Sequence, residues 1–208
     1  MQLARLIWPF PFLVRLGWAT CRTANPDPVN ARGRVFLLRG QAIVFSGGFG
    51  VLCDALRRQG IWAEDLRCVG DLWARRRLLA DQRSGPVVFV GHSCGGRHAL
   101  HAARALQPAG VTVDLVVGLD VAFPPLVTGN VKRAVNLYLG GRRIYPAGLF
   151  RAEPGSTTRI ENIDLRTAHS PVSVRWLQHL TITNSAAVQA YVLGRILEAI
   201  ATAQKPVE

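Results

Sequence analysis

Lysine is nearly absent from these 208 residues. Lys132 and Lys205 are the only two, so almost all of the 25 basic residues are arginine. Acidic residues are scarce as well, 13 in all, which leaves a formal net charge of +12. Such a balance can signal a nucleic acid, an anionic lipid or an acidic substrate. No dense basic block with interleaved aromatics is present, so no nucleic-acid partner is expected. The excess can also mirror a GC-rich coding sequence, which favours arginine codons, and that is the preferred reading. Cysteine is limited to Cys21, Cys53, Cys68 and Cys94, and no C-x-x-C pair occurs among them. The usual zinc and dithiol motifs are thereby excluded. Cys94 is expected to pack beneath a turn and Cys53 and Cys68 to pack in the core, with a bridge between the latter two left open. Internal repeats and low-complexity segments are also lacking. No metal ion or organic cofactor is called for.

What is present suits one domain, since 208 residues with 49% apolar content can bury a real core. Residues 1–21 are mostly apolar, with Arg5 as a positive start. They suggest a signal or a membrane-surface anchor. Pro9, Pro11 and Arg15 interrupt the pattern, and the uncharged run Leu6 to Val14 is too short to span a bilayer. Export to a periplasm or membrane attachment therefore stands beside a cytoplasmic protein whose N-terminal arm packs on the domain. Thr23 to Arg34, with Asn25-Pro26-Asp27-Pro28, reads as a linker. The division expected is an N-terminal segment and linker over 1–33 and the main folded domain over 34–208.

The chain is organised around Gly91-His92-Ser93-Cys94-Gly95-Gly96. An apolar run, Pro86 to Val90, precedes it, and a helical pattern with apolar residues at 99, 102, 103 and 106 follows. A G-x-S-x-G turn between strand and helix can hold its serine in a strained backbone conformation, with Oγ clear of the sheet edge. The N–H of the next residue, at the helix start, points to where a negative oxygen would form. His92 is expected to pack in the turn. The motif in this setting resembles the alpha/beta-hydrolase superfamily, and GHSCGG is most similar to its lipase, esterase and thioesterase branch. The resemblance covers about Arg34 to Ile200. It implies an α/β fold: a three-layer α/β/α sandwich with a mostly parallel sheet, here a compact core without a large lid.

Further apolar runs place the other strands. Val35 to Leu38 reads as a buried strand ending near Gly40, and Ile61 to Val69 as another. A competing reading makes Ala42 to Phe45 the strand and Ser46-Gly47-Gly48 the loop. The first reading leaves 43–59 as loop and helix. Asp71 can cap a helix running to about Arg83. Val111 to Leu119 is a continuous apolar run of the kind buried on both faces of a parallel sheet, and Asp120 ends it at the edge where sites form. Asp114, at its start, should point away from that edge. Val131 to Leu139 and Arg159 to Leu165 suggest two more strands. The loop between them carries Arg142, Arg143 and Arg151, and could cover the site or bind an acidic group. Leu193, Ile196, Leu197 and Ile200 give the last helix an apolar stripe, and Asn184 or Ser185 offers its cap.

A serine hydroxyl needs a base to take its proton and an acid to orient that base. His98 and His101 share a helix with Arg97 and Arg104 and read as part of a solvated face. His169 and His179 both follow the serine in the order the resemblance implies. The stretch His179 to Ser185, followed by an amphipathic helix, resembles the catalytic-histidine loop of small lipase-like hydrolases, which favours His179 over His169. The resemblance also implies Asp120 as the acid, with Asp164 as the alternate. The oxyanion donors implied are the N–H of Cys94 and that of Gln41 or Ala42. Arg39 stands where the superfamily has histidine, a departure from its pattern. The expectation is a serine hydrolase cleaving a small carboxylic ester or thioester. The alternative is a non-catalytic protein of the same fold that binds an acyl or acidic ligand, with residues 1–21 at a membrane surface.

Overall fold

Runs of β-branched and aromatic residues that alternate between two apolar surroundings become central strands, and more polar ones become edges. In the computed structural model, which describes residues 21–41, 46–67, 70–80, 85–141, 148–167, 170–172 and 177–204, six strands form one sheet. The strands are β1 (Arg34–Leu38), β2 (Trp62–Leu66), β3 (Val87–His92), β4 (Val113–Leu119), β5 (Val131–Tyr138) and β6 (Arg159–Asp164). Their order is β2-β1-β3-β4-β5-β6, and every pairing is parallel. All carboxyl ends therefore lie on one edge. The competing strand at 42–45, the apolar segment 1–20, Cys68, Arg142, Arg143 and His169 fall outside the described residues.

Side-chain alternation sends the two halves of each strand into two separate cores. On one face Val35, Leu37, Val88 and Val90 meet helices α1 (Gly48–Arg58) and α4 (Ala186–Ala203). On the other face Phe36, Leu38 and Phe89 meet α2 (Asp71–Ala80) and α3 (Cys94–Leu106). The result is a three-layer α/β/α sandwich. Phe36 and Phe89 stack at the centre of the second core, with centroids 5.4 Å apart. Ser185 caps α4 by accepting from Val188 N–H at 3.4 Å, and Ile196 and Ile200 are fully buried. Leu193 and Leu197 pack partly buried against the same core.

The sheet reverses its direction of growth at β1, whose neighbours β2 and β3 lie on opposite sides. Ligand sites in open α/β sheets form at the carboxyl edge beside such a switch point. Here the loops after β1 and β3 emerge side by side at that crevice. Asp114 sits at the opposite edge, where it accepts from Val87 N–H at 2.9 Å and pairs with Lys132 at 2.7 Å. A cavity of about 370 Å³ opens there, between Arg34, Gly85, Asp114 and Lys132, away from the serine.

Cys53 packs in the core as expected and is a free thiol, so the bridge left open between it and Cys68 is not formed. One cysteine expectation needs correction. Cys94 is disulfide-bonded rather than a packing group under the turn.

Candidate active site

Ser93 joins β3 to α3 with φ 55° and ψ −123°, a conformation that costs a residue with a Cβ about 1–3 kcal/mol. Its neighbours enforce it. Ser93 N–H donates to Leu119 O at 3.0 Å, tying the turn to β4. A Cβ on Gly95 would lie 2.1 Å from Leu38 O, so only glycine lets α3 start this close to β1. The serine thus stands at the switch-point edge, with Cys94 as the first residue of α3. A helix presents its first N–H groups outward, toward an anion.

The loop after β1 passes against this turn. A Cβ on Gly40 would come within 3.0 Å of His92 Nδ1 and 3.4 Å of Ser93 Cβ. Gln41 follows, exposed, while Ala42 lies outside the described residues. Arg39 is buried and pairs through Nε and Nη2 with both carboxylate oxygens of Asp65 on β2, its Nε donating to Asp65 Oδ1 at 2.7 Å. Arg39, where the resemblance implies a histidine, therefore makes a structural ion pair.

His179 arrives from the other side. The turn Gln178–Ile182 carries it, closed by Thr181 N–H and Ile182 N–H donating to Gln178 O, both at 3.0 Å. Asn184 Oδ1 accepts from Gly48 N–H at 2.8 Å, which anchors this turn to the start of α1. His179 Nε2 lies 3.0 Å from Ser93 Oγ, and Nδ1 lies 2.7 Å from Asp120 Oδ2. Asp120 is buried, has φ 47°, and its Oδ1 accepts from Leu139 N–H at 3.1 Å. A buried carboxylate can only accept, so Nδ1 carries the proton and Nε2 faces the serine hydroxyl as acceptor. The three side chains come from three separate loops and share one line of hydrogen bonds.

The alternates sit elsewhere or out of view. Asp164 Oδ1 accepts from Gly140 N–H at 3.1 Å and Arg166 N–H at 3.0 Å, a loop-capping role. His169 lies outside the described residues. His98 Nδ1 is 3.1 Å from Asp71 Oδ1, and Arg97 donates to His101 on the exposed face of α3, as the pattern predicts.

His92 is where reading the sequence as turn packing falls short. It is buried, and both ring nitrogens are engaged: Nδ1 with Ser46 Oγ at 2.9 Å, and Nε2 with the backbone oxygen of His179 at 2.8 Å. Burial, and then the charge of the neighbouring His179 ring, push its pKa down to about 4. Ser46 Oγ in turn accepts from Gly40 N–H at 3.1 Å. A histidine beside a G-x-S-x-G serine carries no sequence signal for this arrangement, because its partners lie 46 and 87 residues away. Among the described residues, no group of three or more His, Cys, Asp or Glu side chains is placed to hold a metal ion.

Comparison with solved structures finds an esterase domain from a Rhodothermus marinus protein, with a TM-score of 0.51 and 17% identity. The match covers 86% of this chain and 89% of that one. The chain shares the α/β fold of that domain, with its six-stranded parallel sheet between two layers of helices. No protein-family model matches the chain, and no curated protein matches it.

Proposed function

We propose that the protein is a serine hydrolase that cleaves a small carboxylic ester or thioester through an acyl-enzyme. The observation that carries this reading is the continuous line Ser93 Oγ, His179 Nε2, His179 Nδ1, Asp120 Oδ2, with spacings of 3.0 Å and 2.7 Å. The esterase fold of the structural neighbour agrees with it at the level of architecture.

In this reaction Ser93 Oγ adds to the acyl carbonyl carbon as its proton passes to His179 Nε2. Asp120 holds the imidazole in the needed tautomer and stabilises its charged form. The carbonyl oxygen becomes an oxyanion that the N–H groups of Cys94 and Gln41 receive. His179 then returns the proton to the leaving alcohol or thiol, and the C–O or C–S bond breaks. Water, deprotonated by His179, then attacks the acyl-serine, and the C–Oγ bond breaks as His179 returns that proton to Ser93 Oγ, which releases the carboxylic acid. Losing one oxyanion donor costs a factor of about 10² to 10³. The reaction needs no metal ion or organic cofactor.

Fluorophosphonate labelling of wild type, Ser93→Ala, His179→Ala and His169→Ala tests the proposal. Labelling is expected in wild type and His169→Ala, and lost in the other two. A folded wild type that does not label would refute the hydrolase reading in favour of a ligand-binding protein of the same fold.

A further inference from the structure

We propose that His92 is a positioning residue for the reaction, joining the backbone of the oxyanion loop to the backbone of the base. This rests on the reading of Ser93 and His179 given above. Hydrogen-bond chemistry fixes the direction of each link. The backbone oxygen of His179 can only accept, so the bond of 2.8 Å requires a proton on His92 Nε2. A neutral imidazole has one donor and one acceptor, so Nδ1 accepts from the Ser46 hydroxyl at 2.9 Å. The Ser46 oxygen is then the acceptor for Gly40 N–H at 3.1 Å. The chain runs Gly40 N–H, Ser46 Oγ–H, His92 Nδ1, then His92 Nε2–H to His179 O.

Its placement is what gives it a function. His92 is the last residue of β3 and is bonded directly to the nucleophile Ser93. Gly40 immediately precedes Gln41, a donor in the proposed oxyanion site. His179 is the proposed base, and its ring lies 4.8 Å from that of His92. One buried side chain therefore bridges oxyanion loop, nucleophile and base, adding to the β1–β3 pairing a link to His179 that the sheet does not supply. His92 exchanges no proton with the substrate, and its neutrality avoids a second positive charge beside the His179 imidazolium. A backbone displacement of about 1 Å at such a site is enough to cost about 10²-fold in rate.

The test compares rates of phosphonylation by a fluorophosphonate probe, and kcat and KM on a p-nitrophenyl ester, for wild type, His92→Leu, His92→Gln and Ser46→Ala. The Gln amide can still donate to His179 O, whereas Leu cannot. His92→Leu is expected to lose about 10²-fold in phosphonylation rate and kcat with KM little changed. His92→Gln should recover much of that loss. Adding Ser46→Ala to His92→Leu should cost less than it does alone, because the two act in one chain. Thermal melts establish that each variant is folded, and Ser46→Ala carries the test if His92→Leu is not. Equal rates in the folded variants and wild type, or equal losses for Gln and Leu, would overturn the positioning role. A folded wild type that does not label would instead remove the hydrolase reading, and the proposal with it.

Discussion

Replacing Asp120 by asparagine separates orientation from shape. The carboxylate has two jobs: Oδ2 accepts from His179 Nδ1–H at 2.7 Å, and Oδ1 accepts from Leu139 N–H at 3.1 Å. Asparagine keeps the second with its amide oxygen. Its NH₂ group then faces His179, where it can only donate. Nδ1 must become the acceptor, so the ring proton moves to Nε2, and the nitrogen facing Ser93 can no longer take the hydroxyl proton. Such tautomer inversion costs about 10⁴-fold in kcat, equivalent to about 5 kcal/mol of transition-state stabilisation. Asp120→Ala is a poorer probe, because it also leaves Leu139 N–H buried without this acceptor, a stability cost of about 1–3 kcal/mol. The assay is steady-state hydrolysis of a p-nitrophenyl ester with phosphonylation rates alongside, and thermal melts to establish folding. Asp164→Asn serves as the comparison, since that carboxylate caps a loop through Gly140 N–H and Arg166 N–H. An Asp120→Asn enzyme within tenfold of wild type would refute the reasoning.

Three further outcomes are expected. Ser93→Gly should abolish labelling yet stabilise the fold by about 1 kcal/mol, because glycine accepts φ 55° without the strain that serine bears; the denaturant midpoint measures it. Asp65→Ala leaves the Arg39 guanidinium buried without this partner and should cost about 3–5 kcal/mol, read as a large drop in Tm. His92 makes stability fall in acid: its pKa is held at about 4 against an ordinary 6.5, so the unfolded chain takes up a proton across that window and the folded chain does not. The contribution is complete above about pH 6.5 and is lost toward pH 4, on the order of 3 kcal/mol, and His92→Gln should flatten that part of the stability-against-pH curve.

What could be read in the sequence follows from how local each constraint is. Strands buried on both faces need apolar residues at nearly every position, so Val87 to Val90 and Val113 to Leu119, with Asp114 the one charged residue, were legible as runs, with ends displaced by a residue or two. The turn at Ser93 was legible because its strain and close approach demand glycine at fixed offsets, as the 2.1 Å approach of a Gly95 Cβ to Leu38 O makes plain. His179 and Asp120 were reached through resemblance and chain order, since the physics joining them acts across 59 residues and leaves no periodicity. The ion pair of Arg39 with Asp65 and the bonds of His92 to Ser46 and His179 left no signal at all. Each depends on which parallel strands become neighbours, and strand order is fixed by the packing of two helical layers on opposite faces. The register of β1 against β2 places Leu37 opposite Asp65. That pairing, and no property of residue 39 itself, makes Arg39 a buried support for the loop through its ion pair with Asp65.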